Sequence, residues 1–126
     1  MKPWRLLLVE DDASSAEMLA RRLRRRGYEV SVVGDGFAAV DAALHGKPNL
    51  VLMDMNLPGL DGWSATLQIR ENAETADLPI LAITAHSMSG DEERARAAGC
   101  SGYHAKPIDL EKLIAQLELL LRKREG

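Results

Sequence analysis

A single cysteine, Cys100, occurs in the 126 residues, so no intrachain disulfide can form and a reducing compartment fits. Nor does any apolar run approach the roughly 20 residues that a membrane span requires. Met1 is followed within a few residues by a strand-like run, which leaves no space for the apolar region and cleavage site of a signal peptide. These absences lead us to expect a cytoplasmic protein with no membrane association. A large excess of one charge is also missing, and the formal net charge of -3 argues against a general nucleic-acid binder. The exception is local: five arginines crowd into Arg21 to Arg26, where cations in the last turn of a helix complement its dipole and stay solvated. No low-complexity linker divides the chain. With 46% hydrophobic residues it can bury one substantial core and has no room for two.

What is present is a strict alternation of strand-like and helix-like segments. Strands are expected near 4–9, 28–33, 49–53, 79–83 and 101–105, and helices near 13–26, 36–45, 62–72, 89–98 and 109–123. Such alternation points to a parallel sheet with helices on both faces. Gly27, Gly46 and Gly99 are placed to end three of the helices. Strands buried on both faces are continuously apolar, as the first, third and fourth are; the alternating Tyr28–Val32 and the mixed Ser101–Ala105 are therefore the edges. The expectation is a three-layer, doubly wound (βα)5 flavodoxin-like α/β fold with strand order 2-1-3-4-5. In the last helix Leu110, Leu113, Ile114, Leu117, Leu120 and Leu121 form a stripe that must bury, with Leu119 off it. Helix one turns Ala16, Leu19, Ala20 and Leu23 inward and leaves Met18 outside with Ser15 and Arg22. Helix four opens on a plausible capping box, Ser89 with Glu92, but offers mostly alanines, Ala95, Ala97 and Ala98, for burial, which marks it as a low-stability element.

The chemistry lies at the strand ends. Asp54 closes the apolar run Leu50–Met53 and opens the polar segment through Asn56, Pro58 and Gly59; Leu6–Val9 leads to Glu10, Asp11 and Asp12, Ile80–Ile83 to Thr84, and the fifth strand to Lys106. In one parallel sheet these groups converge at the carboxyl-terminal edge. Clustered carboxylates repel and need a cation, while a lone Lys and Thr beside them suit an anion with acceptor oxygens. A divalent metal with a phosphoryl group satisfies both.

Taken in order, Glu10-Asp11, Asp54 with Pro58-Gly59 and Asp61-Gly62, Thr84-Ala85, and Lys106-Pro107 resemble the receiver (CheY-like) domain of two-component response regulators along the whole chain. The stretch Thr84 to Arg94 is especially similar to receivers of stand-alone regulators and hybrid histidine kinases. The resemblance implies one receiver domain over residues 1–126 with no output domain, and no enzymatic activity beyond its own phosphorylation and dephosphorylation. It makes Asp54 the phosphoacceptor, attacking a phosphohistidine of a sensor histidine kinase or histidine phosphotransfer protein. Asp11, Asp54 and the backbone carbonyl of Asn56 would hold Mg²⁺ or Mn²⁺, with Glu10 acting through a water. Lys106 and Thr84 would take phosphoryl oxygens, and Pro107 would be cis and aim the Lys inward. Asn56 and His86 would tune the phosphoryl lifetime. Thr84 and Tyr103 would form a switch that alters the surface of helix four, strand five and helix five, where Leu119 could meet a downstream protein. Asp12, Ser15, Met18 and Arg22 would select the phosphodonor, and the protein would be a monomer or weak dimer without direct nucleic-acid contact.

Plainer roles stand beside these. Asp12 is placed to cap helix one instead of ligating a metal. An exposed loop His such as His86 is often simply solvated, Trp63 reads as a packing residue, and Cys100 as a small buried hydrophobe. Two other functions share the fold. A metal-dependent phosphohydrolase also uses an Asp nucleophile, but it expects an acid or base two residues later, where Asn56 stands. A flavin binder would need N–H donors and hydroxyls where these loops are acidic. A receiver excised from a hybrid kinase differs from a stand-alone one only in gene length.

Overall fold

The computed structural model describes residues 3–85 and 90–125. Five strands, β1 (Arg5–Val9), β2 (Glu29–Val33), β3 (Leu50–Asp54), β4 (Ile80–Thr84) and β5 (Gly102–Ala105), alternate with five helices. These are α1 (Ala13–Arg25), α2 (Gly36–Gly46), α3 (Gly62–Glu71), α4 (Asp91–Ala98) and α5 (Leu110–Glu125). All strand pairs are parallel and the order is β2-β1-β3-β4-β5, as the hydrophobic patterns predict. Every residue of β3 and β4 is buried, because both strands are covered on two faces.

Side chains alternate across β1. Leu6 and Leu8 join the core beneath α1 and α5, whereas Leu7 and Val9 face the core beneath α2, α3 and α4. The stripe of α1 is buried as expected, and so are Leu113, Ile114, Leu117 and Leu121 of α5; Leu110 and Leu120 flank that stripe half-buried. At the edge strand β2, Val30 and the preceding Tyr28 point inward, but the pattern stops at Val32, which is exposed. Helix α4 buries only Ala95 and Ala98.

Four aspartates start four helices in the same way, Asp109 among them with the Lys112 N–H on its Oδ1 at 3.2 Å. Asp12, Asp35 and Asp61 accept hydrogen bonds from the backbone N–H of Ser15, Ala38 and Ser64 at 3.0, 2.8 and 2.8 Å. Two terminus assignments differ from expectation. Gly46 is the last residue of α2 and Lys47 takes the left-handed position (φ 47°), where the Arg5 guanidinium collects the carbonyls of both residues. Helix α4 begins behind Gly90 (φ 99°) without a side-chain cap; Glu92 pairs with Arg96 at 2.7 Å, and Ser89 lies outside the described residues.

Candidate functional site

Parallel strands end at one edge, where β1, β3, β4 and β5 each deliver a polar group. Asp54 is the last residue of β3, only 3% exposed, and its Oδ1 accepts the N–H of Asn56 at 2.9 Å. Glu10 follows β1; its backbone N–H continues the sheet to Val33 and its Oε1 accepts the N–H of Asp12 at 3.1 Å. Oxygens of Glu10, Asp11 and Asp54 all lie within 4.8 Å of one another. Asp12, held by its capping bond, takes no part in this group.

Beside the carboxylates the Lys106 ammonium lies 3.3 Å from Glu10 Oε2 and 3.5 Å from Asp54 Oδ2. Partial burial by itself pulls the ammonium down, but the charges of Asp54 and Glu10 outweigh it and hold the group above its ordinary value. Thr84, buried at the end of β4, accepts the Lys106 N–H on its carbonyl at 2.7 Å, and the Lys106–Pro107 bond is cis. Three carboxylates thus face one ammonium, an excess of negative charge at close range that a divalent cation with oxygen preference suits. Gly62 sets the loop behind Asp54: a Cβ there would lie 2.6 Å from the Asp54 carbonyl oxygen and from the Met55 Cα, so only glycine permits the approach.

Around this centre the remaining residues disperse. Met18 (58% exposed) and Arg22 line one open groove on the outer side of α1. Ser15 instead lines a small hollow with Leu19, Lys106, Pro107 and Ile108, and Asp12 stands between as the cap. Tyr103 is half-buried against the core under α2–α4; burial, then the charges of Asp91 and Glu92, raise its phenol above the ordinary value. Leu119 is exposed on α5. Asn56 is exposed next to the cluster, and His86 lies outside the described residues. Cys100 is buried as expected, its thiol raised by that burial.

Two arrangements were not anticipated. The Arg94 guanidinium of α4 lies over the Trp63 ring of α3, 4.2 Å from its centroid, so the packing residue also meets a cation. His104, at 2% exposure, contacts Gln116 Oε1 through Nδ1 at 2.7 Å and accepts the Asp109 N–H on Nε2 at 3.3 Å. Its sequence signal was a polar side chain at the one inward position of an edge strand.

Comparison with known proteins agrees with this geometry. The family described as the response regulator receiver domain matches residues 6–118. The polar-differentiation response regulator DivK of Brucella anthropi is 34% identical over 119 residues, spanning 94% of this chain and 97% of its own. The receiver domain of a sensor histidine kinase from Pseudomonas aeruginosa, solved with a magnesium ion in its active-site cleft, superimposes with a TM-score of 0.88 at 38% identity, covering 94% and 98% of the two chains. The chemotaxis protein CheY4 of Vibrio cholerae gives 0.87 at 26% identity, with 94% and 98% covered. Agreement in sequence, in strand order and in the acidic edge leads to one conclusion: the chain belongs to the response regulator receiver domain family.

Proposed function

We propose that Asp54 is the residue on which this receiver takes up a phosphoryl group, from a phosphohistidine of a sensor histidine kinase or a histidine phosphotransfer protein. A carboxylate oxygen of Asp54 attacks phosphorus, the phosphorus–nitrogen bond breaks, and an acyl phosphate forms on Asp54. The observation that carries this reading is the burial of Asp54 within reach of Lys106 and beside Glu10 and Asp11. A carboxylate is a weak nucleophile, so positioning and charge neutralisation supply the acceleration. Asp11, Asp54 and the Asn56 carbonyl would hold Mg²⁺ or Mn²⁺, with Glu10 assisting. When bound, the metal supplies charge to the phosphoryl oxygens. Lys106 neutralises another of those oxygens and the Thr84 hydroxyl donates to a third. Water later attacks the acyl phosphate, so the domain catalyses only its own phosphorylation and dephosphorylation, at a pace tuned by Asn56 and His86.

The phosphodonor docks on α1 at Asp12, Ser15, Met18 and Arg22. The downstream protein meets α4, β5 and α5, with Leu119 among its contacts. Both a single-domain regulator and a receiver of a sensor kinase are relatives, and the same chemistry serves either setting. Asn56, standing where a phosphohydrolase needs its acid or base, counts against that alternative. The test is labelling by acetyl phosphate with and without Mg²⁺. Wild type should acquire a hydroxylamine-labile phosphoryl group only with the metal, and Asp54→Asn should acquire none; a labelled Asp54→Asn protein refutes the assignment.

A further inference from the structure

We infer that His104 and Gln116 act as positioning residues for Lys106, closing the turn that presents its ammonium to Asp54; the inference rests on the phosphoacceptor reading above. His104 is the buried residue of β5 and Asp109 directly precedes α5, so the segment between them carries Lys106. The Asp109 N–H donates to His104 Nε2 at 3.3 Å and thereby bridges both ends of the segment. Asp109 is itself anchored: its Oδ1 accepts the Lys112 N–H at 3.2 Å and its carbonyl accepts from Leu113 at 2.8 Å.

A backbone N–H can only donate, so Nε2 must be the acceptor nitrogen and the imidazole proton sits on Nδ1. Nδ1–H therefore donates to Gln116 Oε1 at 2.7 Å, which turns the other end of that amide, Nε2, to donate to the Tyr103 carbonyl at 2.8 Å. The three bonds run in series from Asp109 to Tyr103, and each fixes the orientation of the next. A buried polar side chain is costly unless its bonds are made, and here one of the two His104 bonds goes to Asp109 beyond the Lys106 turn and the other to Gln116 of α5. On the opposite side the Lys106 N–H is held by the Thr84 carbonyl. The turn is thus clamped from the sheet and from α5, with the ammonium as its one group directed at the carboxylates. Misplacement of a charge by about an ångström is enough to cost a large factor in rate.

Two measurements test the clamp. In wild-type protein labelled with ¹⁵N-histidine, His104 should show its proton on Nδ1, the tautomer that a free neutral imidazole disfavours; a proton on Nε2 overturns the proposal without any variant being made. His104→Phe, which keeps a ring in the space, and the milder Gln116→Leu are then compared by rate of labelling at saturating acetyl phosphate. In the wild-type background His104→Phe should slow labelling by about tenfold, with Gln116→Leu in the same direction. In a Lys106→Met background neither should slow it further. Equal loss in both backgrounds, or no loss in either, overturns the proposal, because a residue that supports only the fold does not act through Lys106. Failure of wild-type protein to label on Asp54 would instead remove the reading beneath it, while leaving the tautomer result to stand or fall alone.

Discussion

Tyr28 donates its phenol to Glu118 Oε2 at 3.2 Å, and burial, followed by the charge of Glu118, pushes its pKa up from 10.0 to about 12. The unfolded chain therefore releases this proton near pH 10 while the folded chain keeps it, so between about 10 and 12 the unfolded state binds fewer protons and stability falls as pH rises. Below that window the contribution is fully present. Tyr28→Phe should abolish this part of the alkaline loss. In urea denaturation across the window, the midpoint of the variant should fall less steeply than that of wild type; parallel curves would contradict the assignment. Single-residue roles of this kind are legible from sequence when the partner is a chain neighbour. Asp12 could be read as a cap because Ser15 lies three residues on, whereas the left-handed Lys47 depends on Arg5, far away in the chain.

At the scale of elements, the start of α3 is pressed onto the end of β3. Gly62→Ala places a methyl against backbone that cannot yield, so we expect destabilisation of about 1–3 kcal/mol together with slower labelling of Asp54, read from a thermal melt and an acetyl phosphate assay. Near-wild-type values in both would show that the loop shifts freely. Helix α4 is held differently, by two buried alanines and by the Arg94 cation over Trp63. Amide exchange in α4 should therefore outpace that in α1 and α5. Addition of beryllofluoride should alter exchange in α4 and β5 of wild type, and Thr84→Ala should blunt the response. If wild type stays unchanged, or Thr84→Ala responds in full, the coupling of Thr84 to Tyr103 fails. The strand order was readable because burial on two faces selects continuous apolar runs, and β1, β3 and β4 have them. The His104–Gln116 bonds were not, since they join a strand to a helix through side chains whose meeting depends on how α5 packs.

For the whole molecule, an all-parallel sheet gathers its polar groups on one edge and leaves the outer side of α1 facing solvent, with Met18, Arg21, Arg22 and Arg25 around its groove. Exchanging Asp12, Ser15, Met18 and Arg22 for the residues of another receiver should redirect phosphodonor preference, measured by competition between two labelled phosphotransfer proteins. Added salt should weaken the preferred transfer, because exposed arginines steer partners through screened fields. An unchanged preference after the exchange would place recognition elsewhere. The site also has an unusual span along the chain: Lys106 reaches back 96 residues to Glu10 and 52 to Asp54. Synthesis delivers the carboxylates early and the ammonium late, so a nascent chain halted before β5 carries Asp54 without the Lys106 turn and without one edge of its sheet. The arrangement of carboxylates against an ammonium is thus completed only when the last strand is added.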